Sequence, residues 1–321
     1  VKKRIFLLLV NVFLMLVILV GCGKTGTVST EKENGAIKIV DDLGRTIILK
    51  EPAKRIISLY SAHTENLFAL GLDEEIIGVS TRESYPPEAL NKPQFDYRSD
   101  PEKVLAQQPD LVLIRPFIKR SSPDFVQALE NAGVKVVCLY PEKFYQFDDY
   151  IKRLAVLTGR EKEAAVKLEQ FHQKLNEIEN LTRDIAPKKK VFFESTAREY
   201  RTITPDSIPA VILQLAGGIN VAEDARPIRK GSSIAPYGAE RLLDKADEID
   251  VYIVQRGVMN HATPESVKQR PGFKNIKAVR EGRIFTIDEK LVSSPTFRLT
   301  EGAAKLAAVL YPEKEAGRLT P

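Results

Sequence analysis

Among 321 residues the chain has no tryptophan, two cysteines, two methionines and three histidines. Those shortages narrow its chemistry first. Cys22 ends an N-terminal apolar run, which leaves Cys138 as the other cysteine, inside Val134-Lys135-Val136-Val137-Cys138-Leu139. A lone thiol forms no internal disulfide, and in such a stretch it reads as a small buried hydrophobe. No HxxxH, HExxH or paired-cysteine spacing occurs, so a metal site of converging imidazoles or thiolates has no basis here. The nucleophile elbow GxSxG and the P-loop are absent too. Ser232-Ser233 after Gly231 is the nearest approach to a nucleophile loop, and it reads as an ordinary loop. No catalytic residue, metal or cofactor is assigned. Positive charge is scattered rather than gathered into a basic block, which disfavours nucleic acid as a partner.

The N-terminus does carry a signal. Lys2, Lys3 and Arg4 precede an apolar run from Ile5 to Val20, which stops at Leu19-Val20-Gly21-Cys22. A basic start, a short apolar stretch and a small residue before a cleavage point describe a secretory signal. A membrane-spanning helix needs roughly 20 apolar residues, so an uncleaved anchor is the weaker reading. The end of the run resembles the lipobox of bacterial lipoproteins, although Val20 is a less usual residue there. That resemblance implies residues 1–22 as signal peptide, Cys22 as the lipidated new N-terminus, and durable attachment through more than one acyl chain. The expected location is the outer face of the cytoplasmic membrane, at a cell surface or in a periplasm. Losing Lys2, Lys3 and Arg4 lowers the net charge from +5 to +2. Residues 23–36, small and polar, read as a tether, with structure expected from Ile37.

From there strand-like and helical patterns alternate. Strands are expected at 56–60, 76–79, 111–114 and 134–139, with helices at 65–70, 101–107 and 125–131 between them. This is the signature of βαβ units and a parallel sheet covered on both faces. Ala164, Leu168, Phe171, Leu175 and Ile178 recur at spacings of three and four, one apolar stripe on a long helix over 160–181. Alternation then restarts, with strands at 190–193, 251–254 and 283–287 and helices at 209–215, 239–246 and 299–310. The expectation is α/β: two Rossmann-like lobes with parallel sheets, 37–145 and 187–321, joined by a helical connection over 146–186. The ligand cleft would lie between the lobes. An internal echo supports two related halves. Glu102 and Glu240 each open a helix, and Asp110 and Asp250 each stand directly before a buried strand.

These residues resemble a family. Asp42-Leu43-Gly44-Arg45, Arg55-Ile56-Ile57-Ser58-Leu59, Thr64-Glu65, Ala69-Leu70-Gly71, Ile77-Gly78-Val79, Pro109-Asp110-Leu111-Val112 and Thr158-Gly159-Arg160 follow one another as in the helix-linked (class III) substrate-binding proteins of ABC importers. That family takes up ferric siderophores, cobalamin and haem. The resemblance runs from about Asp41 to Pro312. It implies two rigid lobes with modest hinge motion, a monomer, and an ABC permease with its ATPase as partners. It also implies that Glu102 and Glu240 dock onto permease arginines. A carboxylate at a helix N-terminus is also favoured by the helix dipole, which offers a plainer reason for both.

In open α/β sheets ligands bind beyond the carboxyl ends of the strands. That rule selects Tyr60, His63, Arg82, Tyr85, Tyr97, Arg98 and Arg115 in the first lobe, and Glu194, Arg198, Tyr200, Arg201, Arg256 and Arg298 in the second. Guanidinium presents a planar fork matched to oxyanions, and tyrosine a flat apolar body with a polar tip. Together they suit an anionic ferric siderophore. Cobalamin, haem and an oxyanion such as molybdate are the alternatives, cobalamin the less favoured because no tryptophan is present to stack on a corrin. His63, beside Tyr60, is read as a polar cleft residue, with axial haem ligation the minority alternative. His261 is the other histidine weighed. An exported enzyme on the same scaffold is the remote alternative.

Overall fold

Leu111–Ile114, an unbroken Leu-Val-Leu-Ile run, is fully buried along its length, as a strand covered on both faces must be. It lies inside a five-stranded sheet ordered Gln94–Phe95, Ile76–Ser80, Ile56–Ser58, Leu111–Ile114, Lys135–Cys138, with every pairing parallel. Numbered along the chain this order is 3-2-1-4-5. The winding therefore reverses between Ile56–Ser58 and Leu111–Ile114, the kind of switch point at which open α/β sheets bind ligands beyond the strands' carboxyl ends. In the computed structural model, residues 31–33, 36–229 and 231–315 are described. The apolar run, Cys22 and tether residues 23–30 lie outside them.

The second lobe repeats the plan with an addition. Strands Ile219–Asn220, Lys190–Thr196, Val251–Arg256 and Ile284–Asp288 run parallel, in the order 2-1-3-4. Here the winding reverses between Lys190–Thr196 and Val251–Arg256. The carboxyl half of Lys190–Thr196 also pairs antiparallel with Arg201–Ile203, which pairs antiparallel with Ile234–Ala235. This sheet is mixed rather than wholly parallel. Two departures from expectation concern the start of the chain. A three-stranded antiparallel sheet, Glu31–Glu33, Ala36–Val40 and Thr46–Leu49, precedes the first lobe. Regular structure thus begins inside the stretch read as tether.

Side chains alternate faces along each strand, and the packing follows. Ile56, Leu111, Leu113 and Val137 of the first sheet share one buried cluster with Val191, Phe193, Val251 and Ile253 of the second. Between them lies the helix Glu161–Thr182, whose stripe Ala164, Leu168, Phe171, Leu175 and Ile178 is buried in that same cluster. The opposite faces close separate cores, Ile57, Val112 and Ile114 in one lobe and Phe192, Tyr252 and Val254 in the other. The preceding helix, Phe147–Thr158, ends on Gly159 in the left-handed conformation (φ 69°), where glycine avoids a Cβ penalty.

The family-like motifs are largely architectural. Asp41 Oδ1 accepts the backbone N–H groups of Leu43 and Arg45 at 3.0 Å each, and Oδ2 pairs with the Arg45 guanidinium at 2.6 Å. The neighbouring Asp42 pairs with the buried Arg153 at 2.7 Å. Asp110 accepts the N–H groups of Lys54 and Arg55 at the start of one central strand. Asp250 does the same for Lys190 at the start of the other. The echo between the halves therefore reflects one device used twice: an acid that fixes the register of the adjacent central strand. Cys138 is buried, and burial, reinforced by Asp41 and Asp42, pushes its thiol up to about 12, an inert group.

Candidate functional site

The residue following each central strand falls at a reversal of winding. After Ile56–Ser58 comes Tyr60, and directly after Leu111–Ile114 comes Arg115. The Arg115 guanidinium lies 4.8 Å from the Tyr60 ring and 5.2 Å from the Phe117 ring. Among the described residues it has no hydrogen-bonding or carboxylate partner. Phe117 is 38 % exposed and meets Tyr97 edge-on at 6.4 Å. Arg98 covers the Tyr97 ring at 4.5 Å, and Tyr140 tilts against Tyr60 at 6.0 Å. The first lobe thus presents one continuous wall of aromatic rings and guanidinium groups. Burial raises the Tyr60 hydroxyl well above its ordinary range, and raises Tyr140 as well. Both remain neutral phenols, able to donate, so the wall is net positive.

His63 stands behind this wall rather than in it. It is fully buried, edge-on to Tyr60 at 5.1 Å, and its Nε2–H donates to the Leu139 carbonyl at 2.8 Å. Burial lowers its pKa to about 4, so the ring is neutral. The expectation of a cleft-lining His63 is corrected: it props Tyr60 from beneath. Its remaining nitrogen, Nδ1, is buried without a partner and is not open to a ligand. His261 is exposed, and no group of three or more His, Cys, Asp or Glu able to hold a metal occurs among the described residues.

Other expected residues form a seam between the lobes. Arg298 of the second lobe lies 4.1 Å over the Tyr85 ring of the first and 3.6 Å from Glu65. Lys290 crosses to the Ser84 hydroxyl at 2.5 Å and to the Arg82 carbonyl at 3.4 Å. The Arg82 side chain is exposed. Phe117, Tyr140, Glu65 and Lys290 were not legible as site residues, because their roles depend on neighbours far away in sequence.

In the second lobe the expected residues divide between exposed and buried positions. Arg198 and Arg256 are exposed, and Arg256 has no ion-pair partner among the described residues. Glu199 and Tyr200 in the same loop hold positive φ values of 56° and 45°, strain of a kind that concentrates at functional loops. Two residues are corrected. The strand extends through Thr196, so Glu194 lies within it, fully buried; it pairs with Arg270 and accepts from Tyr252 and Asn260 at 2.5 and 3.2 Å. The Tyr200 ring turns inward, 5.0 Å from Phe273 and beneath Arg270. Arg201 pairs with Glu199 at 2.8 Å. Beyond Arg256, Val258 and Met259 project from a tight turn, 61 % and 59 % exposed. Neither was anticipated.

Glu102 and Glu240 each open a short helix that leads back to a central strand, Leu111–Ile114 or Val251–Arg256. A helix running back to the start of its strand has its own N-terminus at the carboxyl edge of the sheet. That topology is the reason both glutamates are weighed together with the crevice residues. Both are exposed, and neither carboxylate pairs with a cation among the described residues.

Comparison with known proteins agrees with this plan. Residues 56–291 match the periplasmic binding protein family. An uncharacterised ABC transporter substrate-binding lipoprotein of Bacillus subtilis, YvrC, is 28 % identical over 310 residues, 92 % of this chain and 94 % of its own. The vitamin B12-binding protein of Vibrio cholerae is 22 % identical over 264 residues, 81 % of this chain and 90 % of its own. A possible iron-binding, periplasmic solute-binding protein of Staphylococcus epidermidis superposes with a TM-score of 0.72 at 29 % identity, covering 81 % of this chain and all of its own. Two α/β lobes, the reversed winding that places a crevice at each, and these matches together make the chain a member of the periplasmic binding protein family, the helix-linked class of ABC-importer substrate-binding proteins.

Proposed function

We propose that the protein captures an anionic metal chelate, a ferric siderophore, outside the cell and delivers it to an ABC permease and its ATPase. One observation carries the choice of an anion: Arg115 stands at a reversal of winding, sandwiched by Tyr60 and Phe117, with no carboxylate partner among the described residues. A guanidinium is seldom left unpaired in a polar wall unless its partner arrives from outside. Arg98, and Arg198 and Arg256 of the other lobe, would extend the positive lining, and Arg298 with Tyr85 would close one side. Catecholate, hydroxamate or carboxylate oxygens would take the guanidinium donors while the rings cover the ligand's apolar faces. Glu102 and Glu240 would orient the docked complex, as exposed interfacial charges do. Cys22 would carry the lipid anchor, and the chain would act as a monomer.

Cobalamin is the second reading, favoured by the B12-binding relative and by the exposed apolar pair Val258 and Met259. Intrinsic tyrosine fluorescence, titrated with ferric siderophores, haem, cobalamin and molybdate, separates the two. Saturable quenching by an anionic ferric chelate that weakens in Arg115→Ala supports the first. Response to cobalamin alone, indifferent to Arg115, replaces it.

A further inference from the structure

The turn beyond the second lobe's central strand is more firmly built than an ordinary surface turn requires. Gly257 and Asn260 exchange backbone hydrogen bonds at 2.9 and 3.3 Å, and Val258 donates its N–H to the Glu289 carboxylate at 3.0 Å. That carboxylate lies against Gly257, in the space a Cβ would take. From beneath, the buried Asn260 donates to the fully buried Glu194 at 3.2 Å, and Arg270 and Tyr252 hold the same carboxylate. The tip nevertheless carries Val258 and Met259, both largely exposed, where turns ordinarily present small polar residues. Arg256 stands two residues before Val258, exposed and without an ion-pair partner among the described residues. The turn is tied to the meeting of the lobes: Lys290, next to Glu289, crosses to Ser84 of the first lobe at 2.5 Å. A fixed tip thus offers a thioether, an isopropyl group and a guanidinium within four residues.

We propose that Val258 and Met259 form an apolar clamp for the aromatic face of an anionic ligand, which among ferric chelates selects catecholates. The proposal rests on capture of a ferric chelate and goes on to name its donor class. Each catecholate ring is doubly negative, so three of them leave iron(III) triply negative, whereas three hydroxamates leave it neutral. Carboxylate chelates are anionic but have no ring. Of the three classes, only the catecholate meets both demands: oxyanions for Arg115 and Arg256, and aryl faces for Tyr60, Phe117 and the Met259 sulfur. Thioether sulfur packs favourably on aromatic rings, and guanidinium takes paired oxyanions bidentately. A tip already held by backbone bonds and a buried carboxylate loses little freedom on binding, so its contact is not spent on ordering the turn.

The test places the probe on the tip itself. Met15 and Met259 are the chain's two methionines, so methyl-carbon-13 methionine labelling of the whole chain gives a signal that Met259→Leu identifies. Gallium(III) replaces iron(III) to keep the complexes diamagnetic. Saturation with a gallium tris-catecholate is expected to move the Met259 methyl upfield, as a methyl over an aromatic face must move, and gallium citrate is expected not to. Met259→Ala is expected to weaken ferric catecholate binding about two- to tenfold and to leave ferric citrate within about twofold. A methyl unmoved at saturation, or equal losses for the two chelates, overturns the clamp. If ferric citrate binds and loses affinity in Arg115→Ala, while the catecholate shows neither methyl shift nor Met259 dependence, the chelate reading stands and the clamp alone falls. If no ferric chelate binds, the reading itself falls and takes the clamp with it.

Discussion

Two arginines of this protein should respond to truncation in opposite ways. Arg115 stacks on Tyr60 and Phe117 and is bonded to no acid among the described residues. In Arg115→Ala the fold loses two cation–π contacts, about 1 kcal/mol in partly exposed surroundings, and no buried group is stranded. The ligand, by contrast, loses a charge-assisted fork of hydrogen bonds, about 1.5–3 kcal/mol. That is about ten- to a hundred-fold in affinity. Arg115→Lys should fall between, since it keeps the charge but loses the planar fork and the stack. Urea unfolding measures the first quantity, and tyrosine quenching by the chelate measures the second. The reasoning fails if Arg115→Ala binds within twofold of wild type, or if its unfolding free energy drops by more than about 3 kcal/mol, the cost of breaking a buried pair.

Arg270→Ala is expected to show the reverse, because it leaves the fully buried Glu194 without its cation. A loss of about 3–5 kcal/mol in urea unfolding follows, and a loss below about 1 kcal/mol would remove the structural role. Phe171→Ala opens a cavity in the core shared by both sheets; about 3–5 kcal/mol should disappear from the stability of the whole chain, read by urea unfolding with probes in each lobe. Replacing Glu102 and Glu240 together with alanine should abolish uptake into cells and leave chelate affinity unchanged. Altered affinity would remove their docking role.

How much the sequence could reveal varied with the range of the interaction. Leu111–Ile114 is legible because a strand buried on both faces has no polar position to break its run. The stripe from Ala164 to Ile178 is legible because one helix carries its whole period. Short antiparallel strands such as Arg201–Ile203 and Ile234–Ala235 are too brief for a period of two to stand out from loop. The Glu31–Glu33 strand was hidden within a polar stretch for the same reason. At the site, the rule of strand ends located Tyr60 and Arg115, since topology alone puts them there. It could not tell a free arginine from a paired one. Glu194 and Arg270 meet across 76 residues of sequence, and nothing local distinguishes either from a cleft residue. His63 misled for a related reason: the carbonyl of Leu139 that claims it belongs to a distant strand end.

The cluster that unites the two sheets also constrains the order in which the chain is completed. Strands through Lys135–Cys138 emerge from synthesis first, with Leu111, Leu113 and Val137 on a face whose cluster is only partly supplied by earlier residues such as Ile39 and Leu67. The helix Glu161–Thr182 supplies part of that cover, but the rest of its surroundings includes Val191, Phe193, Val251 and Ile253, and Leu306 and Leu310 near the far end of the chain. The first half thus completes its core only when the helix Leu299–Leu310 arrives, exposing apolar surface that invites aggregation in the interval. A protein whose two halves look interchangeable is, in its biogenesis, one indivisible piece.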